Sequence, residues 1–405
     1  MSLRLPSVFL GISLCFSASA QNPVVQTILD DMRIDSMMKW VGELSGEVPT
    51  MIDGSMQTIA SRHKNNAGNA LSQTYLMQKL AQFGYVPVEQ SFSTTGKNVL
   101  VTKPGDGSTN EVVIICAHYD AMPGGILNAP AADDDGSGVC AVLEAARILA
   151  DVDFVHPIIF ALWDEEEQGK IGSLFYAGAM AANDALIRGV INMDAIAYDG
   201  DGDTKARIHT RPVANSIELS DSVFAMRDHY NIDLDLILTN PGATYSDHAS
   251  FWTEGYGAVL VIEEFSADGN PYYHTPDDRV QYFDVPYYEK LAKLSLATLA
   301  TLAEPVNSGM GIDAGQELHA ERMYGYPNPT TENATVWLEL PAGRRARVSL
   351  FDALGKEVAV MHEGAIPGGK SAFVVPLADG APGGYVVRAV AEGMEPLSVR
   401  LVRLP

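Results

Sequence analysis

The sequence predicts an α/β fold: a three-layer α/β/α domain with a mostly parallel central sheet, followed by a small all-β sandwich. Up to about residue 303, continuous apolar runs alternate with helical patterns, as in parallel strands that are buried on both faces. From residue 324 onward, short alternating strands with turn residues about every ten positions replace that pattern. A chain of 405 residues is long enough for both units.

The predicted strands and helices of the first unit alternate along the chain. The strands are expected at 112–117, 157–163, 186–193 and 257–263. The helices are expected at 138–150, 173–182, 213–230 and 287–303. In such folds ligands bind beyond the carboxyl ends of the strands, so the loops that follow the strands are where functional residues are expected.

The first twenty residues have the pattern of a secretory signal peptide. Arg4 precedes an apolar run at 8–16, and Ala-Ser-Ala stands at 18–20 where a signal peptidase cleaves. The alternatives are an apolar N-terminal strand, or a lipoprotein through Cys15, which the bulky Leu14 disfavours. We expect a mature protein from about Gln21 that is secreted or on the cell surface and passes through the periplasm. No segment has the length of a membrane span.

Charge and cysteine content narrow the class of protein. Acidic residues outnumber basic ones by 51 to 27, which excludes non-specific nucleic-acid binding because phosphate backbones require clustered Lys and Arg. The mature chain contains only Cys116 and Cys140. Two buried free thiols are the default expectation, and a disulfide is permitted by the expected compartment.

Five polar clusters stand in the segments that follow the predicted strands. Each alone has a structural explanation, such as a helix cap or a solvated face. Together at one sheet edge, carboxylates and imidazoles need a cation, and mixed nitrogen and oxygen ligands favour zinc over calcium or magnesium. The clusters are His118 with Asp120, the acidic triplet 133–135, the acidic run 164–167, Asn192 with Asp194, and Tyr273 with His274.

The order and spacing of these motifs resemble those of the co-catalytic zinc peptidase family. That family includes secreted bacterial leucyl-type aminopeptidases, glutamate carboxypeptidase-like enzymes and glutaminyl cyclases. The motifs are His-x-Asp, Asp-Asp-Gly-Ser-Gly, Glu-Glu-x-Gly-x-x-Gly-Ser, Asn-x-Asp and Tyr-His-Thr-Pro, and the similarity runs from about residue 59 to 303. The resemblance implies two Zn²⁺ per chain and peptide or protein substrates.

The resemblance implies a ligand set for each metal. His118 and Asp194 correspond to ligands of one zinc, and Glu167 and His274 to ligands of the other. Asp134 corresponds to the carboxylate that bridges the two metals. Within residues 133–135 and within residues 165–167, a neighbouring carboxylate could take the same role. The residue that matches the family motif is assigned from the Gly-Ser-Gly or the Gly-x-x-Gly-Ser that follows.

Further residues correspond to those that act on the substrate. Glu166 matches the general base, Asp120 the carboxylate that orients the His118 ring, and Tyr273 a hydroxyl that stabilises the oxyanion. The loop that contains Asp247, His248 and Phe251 resembles the substrate-side loop of the family, so these three residues are predicted to bind substrate.

The chain is divided into a signal peptide (1–20), a zinc peptidase domain (21–305), a linker (306–323) and a β-sandwich (324–405). The last unit resembles the C-terminal sorting domain of type IX secretion, through Tyr-Pro-Asn-Pro at 326–329, Leu-Gly-Lys at 354–356 and Gly-Gly-Tyr at 383–385. This resemblance implies the type IX secretion machinery as a partner. The alternative is an ordinary β-sandwich binding module, for example for glycans.

The sequence therefore predicts a secreted zinc-dependent exopeptidase, with aminopeptidase action favoured. Carboxypeptidase action remains open, as do the preferred side chain and the oligomeric state. Two other functions are kept: a glutaminyl cyclase-like acyltransferase on the same scaffold, and a non-catalytic binding protein. The full set of ligands for two metals disfavours the glutaminyl cyclase-like function. The presence of Glu166 together with all of the ligands disfavours a non-catalytic binding protein.

Overall fold

A computed structural model describes residues 21–122, 128–306, 322–326, 328, 330–340, 343–378, 380–391, 393–394 and 396–404. The predicted signal peptide at 1–20 and most of the predicted linker at 306–323 lie outside the described residues. Both therefore remain predictions.

The described residues form eight α-helices, one short 3₁₀ helix at Val280–Tyr282 and seventeen strands. The helices are α1 (Pro23–Asp30), α2 (Ile34–Leu44), α3 (Ala67–Gln82), α4 (Gly136–Leu149), α5 (Ile171–Ala182), α6 (Ser216–His229), α7 (His248–Thr253) and α8 (Val285–Ala303). The strands are β1 (Thr50–Ile52), β2 (Ser55–Gln57), β3 (Val88–Ser91), β4 (Lys97–Lys103), β5 (Val112–His118), β6 (Ile158–Trp163), β7 (Ile187–Met193), β8 (Lys205–His209), β9 (Asp235–Thr239), β10 (Ala258–Glu263), β11 (Arg322–Tyr326), β12 (Ala334–Leu340), β13 (Arg344–Asp352), β14 (Glu357–Ile366), β15 (Gly369–Val375), β16 (Gly383–Ala391) and β17 (Leu397–Arg403).

An eight-stranded sheet in the order β3-β4-β6-β5-β7-β10-β8-β9 forms the centre of the first unit. The four middle strands, β6, β5, β7 and β10, run parallel to one another. The pairings of β4 with β6 and of β10 with β8 are antiparallel. The carboxyl ends of the four parallel strands therefore meet at one edge of the sheet.

Helices cover both faces of this sheet, because alternate side chains of each strand point to opposite sides. Ile115 packs into a large cluster with residues of α1–α4, α6 and α8. Its neighbour Ile114 packs into a second cluster with residues of α5 and α7. The predicted three-layer arrangement is confirmed. No helix in the described residues combines the length and apolar character needed to cross a bilayer.

All four predicted strands and all four predicted helices are present, with ends that shift by a few residues. The apolar runs were long enough to identify because these strands are buried on both faces. The sequence analysis did not identify β3, β4, β8 and β9. β3 and β9 are the two edge strands and carry mixed polar and apolar side chains, so they lack a continuous apolar run. Cys116 and Cys140 are both buried and free.

The C-terminal unit is a sandwich of two antiparallel sheets, ordered β11-β12-β15 and β14-β13-β16-β17. Val336 of the first sheet and Val348 of the second belong to one buried cluster. The predicted β-sandwich is thus confirmed. Its first strand begins at Arg322, two residues inside the predicted linker, because Arg322 and Met323 pair with Glu339 and Leu338 of β12.

The sandwich is in direct contact with the first unit. Val402 and Leu404 are buried in the same cluster as Leu100 and Val112 of the central sheet. The hydroxyl of Thr102 donates a hydrogen bond of 3.1 Å to the carbonyl oxygen of residue 328. Val112 is the first residue of β5, so this contact lies at the amino ends of the parallel strands.

Candidate metal centre and active site

The predicted ligands converge at the carboxyl edge of the parallel strands. His118 is the last residue of β5, and Asp194 follows the last residue of β7. Glu167 lies in the turn after β6, and Asp134 lies just before α4. His274 comes from the loop between β10 and α8. The topology therefore brings together residues that are up to 156 positions apart.

Two groups of ligand-type side chains form at this edge, and Asp134 connects them. Its Oδ1 lies 3.2 Å from His118 Nε2, and its Oδ2 lies 3.0 Å from His274 Nε2. His118 Nε2 also lies 3.7 Å from Asp194 Oδ1, and His274 Nε2 lies 3.0 Å from Glu167 Oε2. This is the arrangement expected of a carboxylate shared by two cation positions.

Asp135 belongs to the first group by distance, together with His118 and Asp194. Its carboxylate nevertheless has other partners. Oδ2 accepts a hydrogen bond from the backbone N–H of His118, and Oδ1 accepts from Gly138 and Ala195. Asp135 thus holds the backbone around the group, and Asp134 is the member of the triplet that approaches both histidines.

The two histidine rings lie in a strongly negative environment. Burial lowers the pKa of each ring, but contacts with the surrounding carboxylates outweigh burial. The pKa of His118 is held well above its usual range, and that of His274 is raised to about 10. Burial also raises the pKa of Glu167 to about 7. These carboxylates would attract a divalent cation, and the two rings would have to be deprotonated to serve as its ligands.

The donor atoms fit bound metal ions. Asp134 Oδ2 and His274 Nε2 are buried without a hydrogen-bond partner among the described residues. Within each group the ligand atoms lie within 4.8 Å of one another. Buried polar atoms are normally paired, so unpaired atoms that converge in this way match a shared cation. Imidazole nitrogen with carboxylate oxygen is a zinc-type ligand set.

Asp120 connects the first histidine to the acidic turn after β6. Its Oδ1 lies 3.4 Å from His118 Nδ1, at the long end of hydrogen-bonding distance. The two carboxylate oxygens accept hydrogen bonds from the backbone N–H groups of Glu166 and Glu167, at 3.0 and 3.2 Å. Asp120 therefore positions the turn as well as facing the ring.

The Glu166 carboxylate faces the site without a fixed partner. No described residue donates a hydrogen bond to it, whereas Glu167 Oε1 accepts one from the backbone N–H of Met122 at 3.0 Å. Burial, followed by nearby carboxylates such as Asp247, raises the pKa of Glu166 against the opposing effect of His118. The carboxylate is thus available to exchange a proton.

Tyr273 lies at the open side of the site. Its ring stacks on His274, with ring centroids 3.8 Å apart, and contacts Phe265 edge to face at 5.2 Å. The residue is 39% exposed, while burial of its hydroxyl, together with the nearby carboxylates, raises the pKa of that group.

The predicted substrate-binding residues Asp247, His248 and Phe251 are all fully buried. Phe251 packs between Trp163 and Tyr176, with ring centroids 6.1 and 6.3 Å away. α7 thus directs this ring into the layer between the sheet and α5, and the predicted contact of Phe251 with substrate stays a prediction.

Asp247 and His248 are buried at the start of α7. His248 Nε2 lies 2.9 Å from the carbonyl oxygen of Ala243, and its ring packs edge to face on Trp252. Neither residue is in position to line an open pocket. Their neighbour Tyr245 is 49% exposed and is the accessible aromatic residue of this loop.

Two buried residues that hold the loops of the site, Arg62 and Asp278, were not among the predicted site residues. Asp278 stands four residues after His274 and two after the Tyr-His-Thr-Pro motif, so its position was a usable signal. Arg62 lies outside every motif, and no local pattern marks it.

The fold and this edge define an α/β protein with a candidate metal centre of two connected ligand groups. Residues 98–299 match the model of a family described as peptidase family M28. This part of the chain therefore belongs to peptidase family M28.

The similar proteins are named as aminopeptidases. A probable leucine aminopeptidase of Trichophyton verrucosum is 30% identical over 221 residues, covering 52% of this chain and 58% of that protein. Leucine aminopeptidase 1 of Paracoccidioides brasiliensis is 28% identical over 260 residues, covering 60% and 66%. The chain thus spans less than two thirds of the length of these relatives.

Solved structures share the fold. The LapA aminopeptidase of Legionella pneumophila superposes with a TM-score of 0.60 at 22% identity, over 76% of this chain and 81% of that chain. The glutaminyl cyclase of Porphyromonas gingivalis superposes with a TM-score of 0.56 at 18% identity, over 67% and 98%. At these identities the likeness concerns the fold alone.

Proposed function

We propose that this chain is a zinc-dependent exopeptidase that acts as an aminopeptidase with two Zn²⁺ ions. The observation that carries the proposal is Asp134, whose two oxygens face His118 and His274 in separate groups. Asp194 completes the first ligand group and Glu167 the second. The leucine aminopeptidase names of the relatives support the choice of aminopeptidase action.

The metals, when bound, supply Lewis-acid chemistry and lower the pKa of water. Glu166 is the general base, because its carboxylate is close to the ligand groups and has no competing donor among the described residues. It accepts a proton from the attacking water and passes it to the leaving amine. The hydroxyl of Tyr273, which its raised pKa keeps protonated, donates to the developing oxyanion. The Asp120 carboxylate holds Glu166 in place by accepting a hydrogen bond from the backbone N–H of Glu166.

The test is metal analysis combined with a substrate screen. We expect about two zinc equivalents in the purified protein, and loss of activity on chelation that zinc restores. Peptides with a free N-terminus should be cleaved, and peptides with a blocked N-terminus should not. Cyclisation of N-terminal Gln peptides without cleavage would instead indicate the acyltransferase alternative. A metal-free preparation with full activity would contradict the proposal.

We also propose that the protein is exported through the periplasm by the type IX secretion machinery. The support is the signal-peptide pattern at 1–20 and the sorting-domain motifs of the β-sandwich. The sandwich lies at the amino ends of the parallel strands, so it leaves the candidate active site open while attached.

A further inference from the structure

Arg62 is a fully buried cation whose guanidinium binds only backbone carbonyls among the described residues. Nε donates to Tyr119 at 2.7 Å, and Nη2 donates to Ala131 at 2.8 Å. Nη1 donates to Pro130 at 2.6 Å and to Leu44 at 3.3 Å. Burial of a charged group raises the free energy of the folded state unless hydrogen bonds compensate for the lost water. The four hydrogen bonds to carbonyl oxygens supply this compensation for Arg62.

Three of the four carbonyls that Arg62 binds, those of Tyr119, Pro130 and Ala131, belong to the one loop that joins β5 to α4. Tyr119 directly follows His118 at the end of β5, and Ala131 precedes Asp134 by three residues. The guanidinium therefore connects the end of this loop beside the first histidine to the end that carries the shared carboxylate. The planar fork of Arg fixes the directions of these contacts, which a Lys ammonium does not.

Asp278 binds the Asp134 end of this loop through backbone N–H groups, where Arg62 binds carbonyl oxygens. Its Oδ1 accepts a hydrogen bond from the backbone N–H of Asp133 at 2.9 Å, and its Oδ2 accepts from Asp134 at 3.1 Å. Its own carbonyl oxygen accepts from the backbone N–H of Ala132 at 3.2 Å. Asp278 is 3% exposed and lies four residues after His274, so it connects the loop of the second histidine to the same segment.

We propose that Arg62 and Asp278 are positioning residues that together place Asp134 between the two histidines. Arg62 holds the carbonyl groups that precede Asp134, and Asp278 holds its backbone N–H. Because the two Asp134 oxygens face different histidines, displacement of this segment weakens both metal sites at once. The proposal rests on the proposed function, since it assigns these residues to the two-zinc centre.

The test compares zinc binding by the full chain and by two conservative variants. Asp278→Asn keeps the shape but replaces one of the two accepting oxygens with an NH₂ group, which then faces a backbone donor. Arg62→Lys keeps the charge but loses the fork. Competition with a chromophoric chelator should give affinities that are about 10–100-fold weaker at both sites, as for other residues that orient metal ligands. The absorption spectrum of the Co²⁺-loaded protein should change in parallel.

Glu144→Gln is the matched control. Glu144 is also a fully buried carboxylate that accepts from a backbone N–H, that of Arg33, at 2.6 Å. Its other partner is Arg147, and neither partner belongs to the metal centre. This variant should lower the melting temperature but keep the wild-type zinc affinity.

Several outcomes would overturn the proposal. Wild-type zinc affinity in a folded Asp278→Asn variant would contradict it. If Arg62→Lys does not fold, the zinc affinity of Asp278→Asn alone tests the proposal. An equal loss of affinity in Glu144→Gln would show general destabilisation instead of positioning. Weakening of one site alone would exclude an effect through Asp134. A wild-type chain that binds no zinc would contradict the proposed function, and the positioning proposal would fall with it.

Discussion

Glu165, Glu166 and Glu167 are consecutive in the sequence, yet their carboxyl groups have three different environments. Glu165 Oε2 lies 2.8 Å from Lys64 Nζ, and Glu167 Oε2 lies 3.0 Å from His274 Nε2. The carboxylate of Glu166 has no hydrogen-bond donor among the described residues. The turn after β6 separates these environments, so substitution of each residue should have a different effect.

Glu166→Gln should reduce kcat by about 10²–10⁴-fold, because the amide cannot accept the proton of the attacking water. Both metals should remain bound and KM should change little. Glu167→Gln should instead lose zinc together with activity, because a ligand is weakened. Steady-state kinetics and elemental analysis of the same preparations distinguish the two effects.

Glu165→Gln is the control for this assignment. It should keep zinc and most of the activity, because Glu165 pairs with Lys64 and not with the metal ligands. If Glu165→Gln reduced kcat sharply while Glu166→Gln lost metal, the roles would be shifted by one residue. No rate change in any of the three variants would contradict peptidase action through this turn.

At the scale of the element, the first turn of α4 determines where Asp135 lies. A Cβ atom on Gly138 would come within 2.4 Å of Asp135 Oδ1, the oxygen that caps this helix. Gly138→Ala should therefore displace Asp135 and destabilise the fold by about 1–3 kcal/mol, the usual cost of overpacking. Urea unfolding measures the change.

Gly178→Ala in α5 is the matched control. No atom lies within 4 Å of a Cβ at this position, so Ala should gain about 0.5–1 kcal/mol from its higher helix propensity. If Gly138→Ala were as stable as Gly178→Ala, the first turn of α4 would not require glycine beside Asp135.

At the scale of the whole molecule, the sandwich contacts the amino ends of the parallel strands and the metal centre lies at their carboxyl ends. A chain that ends at Pro305 should therefore fold and keep its kcat/KM for peptides. It should lose about 3 kcal/mol of stability, because Val402 and Leu404 no longer cover the apolar side chains of the sheet. Kinetics and urea unfolding test both parts.

Leu404→Ala in the full chain is the control for that contact, with an expected cost of about 2–5 kcal/mol. A shortened chain that is folded but inactive would mean that the sandwich is part of the enzyme. Stability equal to that of the full chain would mean that the contact with the sheet contributes nothing.

Export is a separate prediction for the whole molecule. Deletion of residues 326–405 in the native host should leave the enzyme in the periplasm, because the sorting motifs lie in this segment. Cell fractionation followed by activity assays would locate the protein. Normal release of the shortened protein into the medium would contradict the sorting role.

The sequence by itself determined the fold class and most of the candidate site. Strands such as β5 and β6 are buried on both faces, so their apolar runs are local signals that need no tertiary information. The polar motifs follow these strands directly. Since parallel strands end at one edge, their convergence could be inferred from order along the chain.

The tertiary structure decided what depends on side-chain direction and on distant partners. It separated Asp134, which faces two histidines, from Asp135, which accepts three backbone N–H groups. It placed Phe251 in the core and Leu404 on the central sheet, because the packing of α7 and β17 decides which side chains are buried. It also placed Arg62 between the two ends of the loop that joins β5 to α4. Contacts that join residues far apart in the chain leave no local pattern, so only the folded structure reveals them.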